Sequence, residues 1–132
     1  MEMNDPDDPV AMYMRELSTI EPLSKHEETT LFEKLRGTIG TEQREPIERR
    51  LIESQLPLVA SIAEKHIASG IPMLDLIQEG NLGLMKSVRS FAEAPTGDFP
   101  TFAATCIEDA ITKAYPEAKL TPWLVKNPDS TK

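Results

Sequence analysis

The sequence has 132 residues, a net charge of −8 at pH 7, 39% hydrophobic and 27% charged residues, and one cysteine. That length holds about one domain with a single core; the lone Cys106 excludes an internal disulfide or a thiolate zinc site of its own; and no run approaches the roughly eighteen apolar residues of a membrane span. The acidic start, MEMNDPDDP, lacks the basic and apolar regions of a signal peptide, so a cytoplasmic protein is expected, and the mean charge would repel a nucleic-acid duplex unless a local patch differs from it.

Residues 1–7 are expected to form a flexible acidic N-terminus. Pro9 suits the first turn of a helix that runs to Leu17, with Val10, Tyr13, Met14 and Leu17 on one face. Ser24 and Glu27 have capping-box spacing for a second helix, PLSKHEETTLFEKLRG, which Gly37 stops after Leu31, Phe32 and Leu35. Glu27 and Glu28 are expected to be solvated or capping residues of an exposed turn. A long third helix follows in EPIERRLIESQLPLVASIAEKHIASG. It keeps Leu51, Ile52, Leu56, Val59, Ile62, Ala63 and Ile67 in register, and Pro57 predicts a kink or a break near Gln55.

The apolar pattern continues through Leu74, Ile77, Leu84, Met85, Val88 and Phe91. Gly80 and Gly83 interrupt it at roughly 1 kcal/mol each relative to alanine, which points either to close backbone approach or to a break between a short and a longer helix. AEAPTGD reads as a loop. FPTFAATCIEDAI returns to helix, with Phe99, Phe102, Ala103, Cys106, Ile107, Ala110 and Ile111 at intervals of three and four. Cys106 on this stripe is expected to be a packed core thiol, with Glu108 and Asp109 facing outward. Residues 116–132 hold too many prolines to extend the helix, and Trp123 is expected to pack onto the domain. No segment alternates at period two, so the fold is expected to be all-α, with its helical domain at residues 8–115.

Catalytic patterns are missing. His26 and His66 are the only histidines, with no HExxH pair and no defensible Ser/His/Asp order, and GTIG is too short for a phosphate loop and follows no strand. His66 is expected to be a partly buried helix residue. The sequence predicts no enzyme, no cofactor and no metal site.

The dense stretch LDLIQEGNLGLMKSV remains, and with its surroundings it resembles the bacterial sigma factors of the sigma-70 family, which direct RNA polymerase to promoters. DDPVAMYMREL is similar to the segment before that family's region 2, PLSKHEETTLFEKLRG to the next helix, and residues 49–91 to region 2 itself. The resemblance covers about Asp8 to Tyr115 and implies a compact helical bundle like sigma region 2. It does not extend to the family's later domains, among them the helix-turn-helix that reads the minus-thirty-five element. In the family, the helix carrying the LDLIQEGN pattern grips the clamp coiled coil of the polymerase's largest subunit. The resemblance thereby implies a polymerase contact at Leu74, Asp75, Gln78, Glu79, Asn81 and Met85. Four polar groups near a helical break, anchored by Leu74 and Met85, also suit a basic partner helix.

The family's next helix reads and melts the minus-ten element with a Tyr-Ala-Thr-Trp-Trp-Ile-Arg-Gln-Ala-Ile-Thr pattern. Here Phe102 takes the tyrosine position, Thr105 and Cys106 the two tryptophans, and Glu108 and Asp109 the Arg-Gln pair, while Ala103, Ile107, Ala110, Ile111 and Thr112 are retained. Base stacking on an aromatic is worth about 1–3 kcal/mol, which threonine and cysteine cannot reproduce, and carboxylates repel phosphate. Weak single-strand contact is expected at most from Phe99, Phe102, Thr112 and Lys113. The expected function is a sigma-like module that binds the polymerase core with weakened or lost promoter DNA recognition. The alternatives are a sigma-fold domain that binds an anti-sigma-type regulator, and a conventional promoter-recognising sigma factor.

Overall fold

A computed structural model describes residues 8–37 and 39–115. Six α-helices and one 3-10 turn make up the regular structure of these residues, with no strand among them. They are α1 (Pro9–Leu17), α2 (Lys25–Arg36), α3 (Thr41–Ser54), α4 (Leu56–Glu64), the 3-10 turn (Ile67–Ser69), α5 (Met73–Glu93) and α6 (Phe99–Lys113). The flexible N-terminus and the packing of Trp123, both expected from sequence, lie outside the described residues.

Local sequence sets most of the boundaries. Asp8 caps α1 by accepting from the Ala11 N–H. Ser24 and Glu27 form the reciprocal capping box of α2, each side chain accepting from the other residue's backbone N–H. Gln55 ends α3 and starts α4, so the long third helix is divided where Pro57 predicts it. It starts earlier than the sequence pattern suggests, at Thr41, because Gln43 folds its side chain back onto the Gly40 N–H and closes a first turn ahead of Pro46.

The second-helix carboxylates part company. Glu27 is exposed and caps, whereas Glu28 is only 5% exposed, which corrects the expectation of two solvated groups. Helical register turns Glu28 inward one residue after its neighbour. Burial pushes its carboxyl above the usual range, Lys25 offsets part of that, and Asp98 adds to it.

The core lies between α5 and α6, with α4 laid against both and α2 and α3 closing the far side. Leu51, Val59, Ala63, Leu76, Leu84, Ile107 and Ile111 are buried there. At the loop end, Phe32, Phe91 and Phe99 form a three-ring cluster with centroids 4.8 to 5.3 Å apart, tilted as aromatic quadrupoles prefer. Helix α5 is unbroken over 21 residues, so of the two readings of its glycines close approach is the one found. A Cβ at Gly83 would stand 2.6 Å from the Cys106 carbonyl oxygen, and one at Gly80 would stand 2.7 Å from Val59 Cγ1. The two glycines let α6 and α4 lie against the backbone of α5, and that contact fixes which sides of α5 and α6 remain outside.

Candidate interaction surfaces

Two outer faces carry the residues singled out from sequence. On α5, Leu74, Gln78, Asn81 and Met85 recur at the spacing of one helical side, and Asp75, Glu79, Leu82 and Lys86 form the adjoining row. Leu74, Asp75, Gln78 and Met85 are exposed, and Glu79 and Asn81 are half-buried. All six therefore lie on one continuous surface. Because α5 runs straight through, no helical break accompanies them, which corrects that part of the expectation. The Oδ1 of Asn81 is buried without a hydrogen-bond partner among the described residues.

Sequence reading missed Leu82, which is 52% exposed and stands at the centre of this face. Its signal was available: a leucine in the row of Asp75, Glu79 and Lys86, seven residues after Asp75, belongs with the surface and not with the core stripe. Arg89, also exposed, extends the face toward the end of α5.

On α6 the expected nucleic-acid residues scatter. Phe99 is 1% exposed and lies inside the aromatic cluster, so it is a core residue and is withdrawn from any surface. Its place just after the Asp98 cap turns it directly into the bundle. Phe102 is half-buried against Phe91, with ring centroids 5.8 Å apart. Thr112 and Lys113 are exposed, and the Thr112 hydroxyl donates back to the Glu108 and Asp109 carbonyls.

The positions read from sequence as replaced DNA contacts also divide. Thr105 and Asp109 are exposed. Cys106, expected in the core, is instead half-buried at the rim of a groove lined by Gly83, Lys86, Asp109, Ala110 and Lys113. The close α5–α6 contact at Gly83 meets the backbone of Cys106 and leaves its side chain at the edge. Burial, then Asp109, pushes the thiol upward, away from thiolate reactivity.

Glu108 does not project freely outward as expected. Its carboxylate meets His66 Nε2, while His66 Nδ1 meets the Tyr115 hydroxyl. His66 is half-buried as expected from sequence but lies in the turn just past the end of α4 and not within a helix, with its ring edge-to-face on Tyr115.

The surfaces of α5 and α6 fall inside a single matched segment, because residues 51–121 match the Sigma-70 region 2 family. The chain belongs to the sigma-70 family. The RNA polymerase sigma factor SigA of Lactococcus lactis subsp. cremoris is 44% identical over 108 residues, which is 82% of this chain and 29% of that protein. The SigA proteins of a Bacillus species and of Clostridium acetobutylicum are 41% and 40% identical, over 81% and 82% of this chain and 27% of each relative. This sigma-70 chain thus spans less than a third of the length of the curated relatives it matches. Among its described residues no helix is long and apolar enough to cross a membrane, and no three His, Cys, Asp or Glu side chains are grouped to hold a metal ion.

Proposed function

We propose that the chain is a non-enzymatic, cytoplasmic sigma-70-like module of transcription initiation that binds core RNA polymerase through the outer face of α5. Its ligand there is the clamp coiled coil of the largest subunit. One observation carries the reading: Leu74, Asp75, Gln78, Glu79, Asn81 and Met85 lie together on one unbroken helical face, four of them exposed and Glu79 and Asn81 half-buried. Two apolar anchors, each 37% exposed, frame acceptors suited to a basic partner helix.

The module is further proposed to have weakened or lost reading of the minus-ten element. Of the four replaced positions on α6, Thr105 and Asp109 are the exposed ones, and neither stacks a base or attracts a phosphate. Phe102, Thr112 and Lys113 are left for weak promoter contact.

The test is a binding titration against core RNA polymerase, run beside an Asp75→Lys, Gln78→Ala variant and in competition with a full-length sigma factor. Saturable binding that the competitor displaces and the variant loses supports the proposal. Absence of binding at micromolar concentrations removes it and favours an anti-sigma-type protein as the partner of this face. Promoter-dependent transcription by the wild-type module would overturn the loss of DNA reading and restore the conventional sigma-factor reading.

A further inference from the structure

The outer face of α5 matches itself under a two-fold axis. Asp75 lies seven residues before Leu82 and Arg89 seven after it; Glu79 lies three before and Lys86 four after. At 3.6 residues per turn, Asp75, Leu82 and Arg89 fall within about 40° of one another around the helix, at a spacing of about 10 Å on either side of Leu82. Two copies of α5 packed antiparallel about Leu82 set Asp75 of each against Arg89 of the other, and Glu79 against Lys86. The two Leu82 side chains meet at the axis, as an isologous contact requires. Parallel packing would set Asp75 on Asp75 and Arg89 on Arg89.

None of the four charged side chains takes part in an ion pair within the described residues. Asp75, Lys86 and Arg89 are exposed, and so is the leucine between them. Acid in the first half of the face, base in the second and an exposed apolar residue at the midpoint form an arrangement complementary to its own reversed copy.

We infer that this face docks a second copy of the chain as an antiparallel α5–α5 dimer, which closes the surface assigned above to polymerase and makes self-association and core binding mutually exclusive. The inference shares that face with the proposed function, and the dimer itself does not depend on polymerase being a ligand. One helical face is a small interface, so the dimer is weak and reversible. Its charge pairs at the rim make it sensitive to salt.

Sedimentation velocity of the 132-residue chain at about 100 µM and low salt tests it, a concentration suited to a micromolar dissociation constant. The wild type is expected to dimerise. Asp75→Arg and Arg89→Asp, tested singly, are each expected to be monomeric, because each sets like charges opposite one another. An equimolar mixture of the two single variants is expected to dimerise again, since one brings two arginines to the axis and the other two aspartates. A monomeric wild type overturns the inference, as does a mixture that stays monomeric. If circular dichroism shows that a charge reversal unfolds the chain, Leu82→Ser replaces it and must abolish the dimer. The double variant Asp75→Arg, Arg89→Asp separates the two readings: it keeps the dimer whether or not core polymerase binds the wild type.

Discussion

His66 and Glu108 are joined side chain to side chain across 42 residues of sequence, tying the end of α4 to the middle of α6. Tyr115 takes the other ring nitrogen of His66, so one half-buried imidazole connects three segments. Glu108, read from the sequence as an outward residue, is engaged here in holding the bundle.

Replacing Glu108 by glutamine should therefore alter stability as well as surface charge. A single hydrogen bond to a partly exposed group contributes about 0.5–1.5 kcal/mol. Glu108→Gln and His66→Ala are each expected to lower unfolding free energy by about that much. In a double-mutant cycle measured by urea unfolding, the second change should cost less once the first is made. Strict additivity would mean that the contact contributes nothing.

Gly83→Ala gains roughly 1 kcal/mol of helix propensity but forces a methyl group to 2.6 Å from a backbone carbonyl and 2.7 Å from Ala110 Cβ. The backbone of α6 must move, so a net loss of about 1–3 kcal/mol is expected. Gly80→Ala meets methyl groups of Val59, Ile107 and Ile111 and no backbone atom, so small shifts of side chains can absorb part of the contact and it should cost less. Comparing urea midpoints of the two variants checks the order. A stabilised Gly83→Ala would contradict the close helix approach.

Glu28 and its neighbours give opposite responses to acid. The Glu28 carboxyl is raised by burial, so its ionised form opposes folding at neutral pH, and the penalty fades as pH falls through the folded value. Glu28→Gln is expected to raise the urea midpoint at pH 7 and to lose most of that advantage near pH 4. Asp98 is lowered chiefly by its hydrogen bond from Lys25, and Glu27 by the Ser24 N–H. Their stabilisation is present above the ordinary carboxylate range and is lost as pH falls through their folded values, below about pH 4. Unfolding curves at about pH 7, 4 and 2 for the wild type and Glu28→Gln separate the two contributions.

Thr105 is an exposed position on α6 where an aromatic ring can be placed without entering the core. Thr105→Trp combined with Asp109→Gln is expected to tighten binding to a single-stranded minus-ten oligonucleotide by about 5- to 150-fold, the equivalent of one stacked base. Fluorescence anisotropy at fixed salt measures it. No change in affinity would mean that α6 does not present its outer side to DNA.

Much of the fold was legible in the sequence because the signals are local. The Pro9 start of α1, the Ser24 cap, the division at Gln55 before Pro57 and most of the apolar spacing of α5 and α6 each act within one or two turns, where periodicity and capping chemistry decide the outcome. The α5 face was legible through the resemblance to the sigma-70 family and not through periodicity, which counted Leu74 and Met85 with the core stripe although each is 37% exposed and passed over Leu82.

The sequence by itself determined that the chain is helical, where α1 starts, where α2 is capped, where α3 and α4 divide, and that α5 carries a polar set. Only the tertiary structure decided between a break and a close approach at Gly80 and Gly83, because the answer depends on how near Val59 and Cys106 come from other helices. It also turned Phe99 and Glu28 inward, left Cys106 at a rim and gave Glu108 a partner in the turn after α4. In each case a group distant in sequence fills or vacates the space beside the residue, and no local pattern encodes that distance.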